Sequence, residues 1–154
     1  MIATECYPDT YLLHLFGVRR KKIRHMGTKG DVVNFIRDNP GSLGIIDEDP
    51  DSSQPKELNY YHIVSSFGDL TLMEKKNGSY IIKISPRLEE WFYKRAKFHQ
   101  IDPNDYKLPR DPNDLHSIPH YEKKPQFHRF LSEITNQDEE ITHLKNWILE
   151  HTER

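Results

Sequence analysis

The sequence predicts an α/β fold, with a mostly parallel sheet flanked by helices, a β-hairpin after the third strand and a C-terminal helical cap. Three observations carry this reading. Residues 1–47 alternate short apolar runs with helix-period segments, the pattern of strand–helix–strand units that pair in parallel through right-handed crossovers. Asn77-Gly78 separates two strand-like stretches, a strong hairpin signal. Residues 126–154 hold two segments of helical period, long enough to cover a sheet.

The elements follow in order. "MIATE" is a short first strand. In "PDTYLLHLFG", Pro8 suits a helix's first turn, Gly17 lies past its end, and Leu12, Leu13, Leu15 and Phe16 supply a buried face. "RKKIRHM" is a second strand, charged as an edge strand is. In "GTKGDVVNFIRDNPG", Gly27 and Gly30 make a turn and Asp31 caps or begins a helix. Val32, Val33, Phe35 and Ile36 form its apolar face, and Asn39, Pro40 and Gly41 stop it. "SLGIIDED" is a third strand, short and apolar as a buried parallel strand should be. "PDSSQPKELNYYHIVSS" has no clear period. "LTLMEKKNGSYIIKIS" supplies the hairpin. "PRLEEWFYKRAKFHQ" is a helix with Pro86 at its start, Glu89 and Glu90 in the first turn, and Lys94, Arg95 and Lys97 later, an order that suits the helix dipole. Residues 98–125 read as an irregular connection. "QFHRFLSEI" and "DEEITHLKNWILE" complete the cap, the latter with Ile141, Leu144, Trp147 and Ile148 on one face. The chain is thus one domain over 1–154, with its core in about 1–97 and its cap in 126–154.

Composition narrows the class. With 154 residues, 35% apolar and 30% charged, the chain is more polar than a typical domain, which predicts a thin core. The net charge of -2 excludes a global field for nucleic acid, but the charge is unevenly placed. Arg19, Arg20, Lys21 and Lys22 form a basic block beside Arg24, and Asp47, Glu48, Asp49 and Asp51 form an acidic one. Cys6 is the single cysteine, which excludes an internal disulfide and a cysteine zinc cluster. No stretch is long and apolar enough for a bilayer, and the start has no charged-then-apolar leader. A reducing, cytoplasmic setting without membrane contact is the expectation. The nine histidines include no HExxH; His116 and His120 stand four apart, but in a proline-rich loop where helical spacing means little, and all nine read as structural or surface residues.

The acidic block "GIIDEDPDSS" raises the chemical question. Four acids crowded against the end of an apolar strand repel unless solvent or a cation relieves them. An acidic surface turn and a divalent-metal site are the two readings. Ligands of open α/β sheets gather at the carboxyl ends of strands. Glu5 ends the first strand and Asp47 to Asp49 the third, so neighbouring strands would place them at one crevice. Asp47 and Asp49, two apart, lean the same way while Glu48 points elsewhere. Hard oxygen ligands with room for water suit Mg²⁺.

These residues resemble a family. "IATECYPD", with Glu5 and Asp9, and "GIIDEDPD", with Asp47 and Asp49, are similar in order to the hhEGxxD and hhhDxD motifs of Toprim domains, found in topoisomerases, bacterial primases and overcoming-lysogenization-type nucleases. "GTKGDVVNFI" is similar to the turn before the second helix of small Toprim-like proteins. "SPRLEEWF" resembles the PxFExW helix opening of nuclease-type relatives, with Glu89 in the place of their recurrent acid. Cys6 stands where the family usually has glycine.

The resemblance spans roughly residues 1–97 and implies a Rossmann-like Toprim sheet and a Mg²⁺- or Mn²⁺-dependent nuclease or related phosphodiester-processing protein. It implies that Asp47 and Asp49 bind the ion, with Asp51 at a second ion or bridging water. Glu5 would join the metal-binding set and act as general acid or base, through metal-bound water. Lys83 would stabilise charge on the scissile group, and Lys29, with Arg19 to Lys22, would meet nucleic-acid phosphates. The alternative is a catalytically inactive Toprim-like binding module. A protein partner or homo-oligomer is open in either case.

Overall fold

The computed structural model describes residues 1–152, so positions 153 and 154 of the expected cap lie outside the described residues. The six strands are Ile2–Thr4 (β1), Ile23–His25 (β2), Leu43–Asp47 (β3), His62–Phe67 (β4), Leu70–Glu74 (β5) and Tyr80–Ile84 (β6). They form one sheet in the order β2-β1-β3-β6-β5-β4. Pairing is parallel from β2 through β1 and β3 to β6, and antiparallel from β6 to β5 and β5 to β4. The sheet is therefore mixed, not mostly parallel as the sequence suggests. Helical crossovers permit the parallel half, whereas tight connections through Asn77-Gly78 and Gly68 leave only antiparallel pairing.

The strand missing from the sequence reading is β4. It sits at the sheet edge with a register irregularity between Ile63 and Ser65. Ile63 and Val64 are exposed, so no alternation of apolar and polar residues marks it. The second strand is also shorter than expected, because Arg20–Lys22 form a 3₁₀ turn and only Ile23–His25 pair.

Among the described residues, six α-helices complete the fold: Tyr7–Leu15 (α1), Lys29–Asp38 (α2), Leu88–Phe98 (α3), Pro112–His116 (α4), Pro125–Thr135 (α5) and Glu139–Thr152 (α6). Thr28, not Asp31, caps α2, its Oγ1 accepting from the Asp31 amide at 3.1 Å. Gly30 accordingly falls inside the first turn of α2 rather than before it, and Leu15, at the end of α1, is exposed rather than part of the buried face. Val32, Val33 and Ile36 of α2 pack with Ala3, Ile46, Met73 and Ile81 on one sheet face. At Gly44 the helix lies so close that a Cβ would stand 2.3 Å from Ile36 Cδ1. The opposite face carries the larger cluster, built from α1, α3, α5 and α6 around Trp91, Phe92, Phe127 and Phe130. The core is thus thicker than the composition suggests, since most of the large apolar side chains lie inside.

The expected irregular connection, 98–125, holds helical turns at Pro103–Tyr106 and Tyr121–Lys123 as well as α4. It contributes Leu108, Leu115 and Tyr121 to the main core. A buried polar network ties α6 to α3. Asp138 accepts from Arg95 Nε at 2.8 Å and the Ile141 amide at 3.0 Å, and His99 Nε2 lies 2.8 Å away. Trp91 Nε1 donates to Glu140 Oε2 at 2.7 Å. Among the described residues, no helix is long and apolar enough to cross a membrane.

An acidic cleft at the strand ends

β1 and β3 are adjacent and parallel, so their carboxyl ends open on the same side. Glu5 and Asp47 meet there, with the Asp47 amide donating to Glu5 Oε2 at 3.0 Å. Asp49 lies two residues on, in left-handed backbone at φ 36, its amide held by the Pro86 carbonyl at 2.8 Å. The intervening Glu48 turns away and accepts from Ser85 Oγ at 2.6 Å. Glu5, Asp47 and Asp49 floor a cleft of about 500 Å³ whose walls include Tyr7, His25, Arg87, Glu89, His116 and His120.

Burial sets the electrostatics of the floor. It raises the Glu5 carboxyl above the usual range, opposed by the Asp47 amide and Lys29. Burial pushes Asp47 up further, aided by the charges of Asp9, Glu5 and Glu89. Asp9, behind the floor, is pushed up to about 7 for the same first reason. The Oδ1 atoms of Asp47 and Asp9 are buried with no hydrogen-bond partner among the described residues, an arrangement that costs free energy while the carboxylates are charged. Glu89, buried at the start of α3, accepts from Tyr121 Oη at 2.9 Å and lies 3.0 Å from His116 Nδ1.

The structure brings together Glu5, Asp47 and Asp49 and leaves the other expected residues outside. Asp51 is exposed in the turn beyond and does not line the cleft. Lys83 pairs across from Ile46 and Thr71 in mid-sheet, and alternation puts it on the α2 side with Ile81. Lys29 is a buried clamp, its Nζ donating to the Glu48 carbonyl at 2.7 Å, Ser52 Oγ at 3.0 Å and Gln54 Oε1 at 3.2 Å. It holds the acidic turn in shape from behind. Arg19, Arg20, Lys21 and Lys22 precede β2, which runs parallel to β1, so they stand at the opposite end of the strands from the cleft.

Sequence reading missed Arg87, His25, His116, His120 and Tyr121 as cleft residues. The four-residue spacing of His116 and His120 was the one available signal, and it is not a helical one, because α4 ends at His116 and His120 lies beyond it in left-handed backbone. No family model, curated protein or solved structure matches this chain.

Hard carboxylate oxygens, a buried Asp47 Oδ1 without a partner, and mutual repulsion across the floor fit a divalent cation in donor chemistry. The side chains do not converge into a coordination shell. Among the described residues, no three His, Cys, Asp or Glu groups are gathered as metal ligands.

Proposed function

We propose that the protein is a Mg²⁺- or Mn²⁺-dependent phosphodiester-processing protein of the Toprim type, acting as a nuclease. The observation that carries this reading is the partnerless Asp47 Oδ1, buried in a cleft shared with Glu5 and Asp49. Asp47 and Asp49 would hold the ion, which when bound supplies charge for a phosphoryl oxygen and a more acidic water. Glu5, with Oε2 fixed by the Asp47 amide, has Oε1 left to take or give a proton. Glu89 orients His116 at the wall. Nucleic acid is the partner this chemistry requires.

Two observations favour a second reading, a catalytically inactive binding module. Arg87 Nε stands 3.4 Å from Asp49 Oδ1 and already offers it a positive charge. The carboxylates, among the described residues, are also not gathered as ligands. Thermal unfolding in rising Mn²⁺ separates the two, because a ligand of the folded state alone raises the melting temperature with its concentration. The nuclease reading expects a rise in the wild type that is lost in Asp47→Ala and Asp49→Ala, with Mn²⁺-dependent cleavage of DNA or RNA abolished in both. An unchanged melting temperature at millimolar Mn²⁺ leaves the inactive module.

A further inference from the structure

Among the described residues, Arg87 is the one lysine or arginine lining the cleft. Its guanidinium is held loosely. Nε lies 3.4 Å from Asp49 Oδ1 and 3.9 Å from Glu90 Oε1, both longer than the 2.7–2.9 Å or so of a strong charge-assisted bond. Arg87 occupies the cap position of α3 without a side-chain capping bond. The backbone of Asp49, by contrast, is held at both its amide and its carbonyl. Its amide is bonded to Pro86, and its carbonyl accepts from Ser52 Oγ at 2.8 Å and Gln54 Nε2 at 3.2 Å. Of the two partners, the arginine has the longer side chain and only these two long contacts.

Asp49 Oδ1 cannot serve a guanidinium and a divalent cation together, because the two positive charges would stand within a few ångströms of each other. We propose that Arg87 is an exchange residue: it holds the cation's place at Asp49 in the metal-free protein and turns to a nucleic-acid phosphate when a cation arrives. This rests on the metal-dependent reading above and names the group that recognises the phosphate within it. The guanidinium fork matches a phosphate's paired oxygens, and in a cleft floored by carboxylates it is the protein's own available cation. Phosphate affinity is therefore coupled to metal. Without the ion, Arg87 is occupied and the floor repels an anion; with it, both obstacles are removed.

The coupling gives Arg87→Gln opposite effects on two ligands. Removing the competing charge tightens Mn²⁺ binding, read by calorimetry, by about 2- to 5-fold, the range expected of a partly exposed ion pair. The same substitution weakens a fluorescent single-stranded oligonucleotide, titrated in Ca²⁺ to prevent cleavage, by about 10-fold. Arg87→Lys, which keeps the charge and loses the fork, binds Mn²⁺ as the wild type does and the oligonucleotide at an intermediate level. Unchanged or weaker Mn²⁺ binding in Arg87→Gln overturns the exchange while leaving the metal reading intact. Equal oligonucleotide binding with and without Ca²⁺ also overturns it. Absence of Mn²⁺ binding in the wild type overturns the metal reading and the exchange with it.

Discussion

Asp9 shows how much a single buried carboxylate weighs on this molecule. Its Oδ2 accepts from the Cys6 amide at 3.3 Å and Cys6 Sγ at 3.1 Å, while Oδ1 has no partner among the described residues. Burial raises its pKa to about 7, whereas an unfolded aspartate releases its proton near 3.8. Between those values the folded chain holds the extra proton, so stability falls as pH rises, and above pH 7 the loss is complete. The raised values of Glu5 and Asp47 act in the same direction. Asp9→Asn removes the charge and keeps an acceptor for Cys6. It should melt higher than the wild type at pH 8 by about 3 °C or more, with a shallower decline between pH 5 and 8 in calorimetric scans. A variant with the full wild-type decline would exclude Asp9 as a source of it. Residues of this kind divide sharply in legibility. Glu5, Asp47 and Asp49 were readable because each ends a strand that the local sequence marks. Arg87, His116 and Tyr121 were not, because they reach the cleft from segments that only tertiary packing brings there.

The contact of α2 with β3 shows what sequence period can and cannot say about an element. Val32, Val33 and Ile36 marked the buried face of α2, and it packs where that face predicts. Gly44 read as an ordinary member of an apolar run, yet it is the point where helix and sheet nearly touch. A methyl carbon added there would lie 2.3 Å from Ile36 Cδ1 and 2.9 Å from Val32 Cγ1. Gly44→Ala should therefore cost about 1–3 kcal/mol in urea denaturation through overpacking, and Ile36→Val in the same chain should recover part of it. Direction along a strand matters as much as its presence. The basic block was readable as charge, but only the parallel pairing of β2 with β1 places it away from the cleft. β4 stayed hidden because its irregular register and exposed Ile63 and Val64 erase the alternation that identifies a strand.

Across the whole molecule, the network of Arg95, His99, Asp138 and Glu140 fastens the last helix to α3. The side chain of Asp138 is 0% exposed. Burial pushes its carboxyl up, but hydrogen bonds from Arg95 and His99 outweigh burial and hold it below the usual value. Its contribution is present above about pH 4 and fades as pH falls toward the depressed value. Asp9 acts in the opposite sense from about pH 4 to 7, and Glu5 and Asp47 act in the same direction as Asp9, so the wild type should be most stable at mildly acidic pH, about 4 to 6. Asp138→Ala leaves Arg95 with Glu140 as its remaining acid and removes the bonds from Arg95, His99 and the Ile141 amide, and should lose about 2–4 kcal/mol in denaturation at pH 6. A loss below about 1 kcal/mol would mean that apolar packing of Ile141, Leu144 and Ile148 alone secures the helix.

The cleft's floor comes from residues 5 to 49, and its outer wall from residues 116 to 122. A ribosome making this chain therefore completes the acids long before it releases their cover. Until Glu122 has emerged, Glu5, Asp47 and Asp49 stand in open water, where their repulsion is weak and a divalent ion keeps its hydration shell. The walled cleft is a late product of synthesis, so a chain that stops before residue 116 lacks its outer wall even when its strands have already paired.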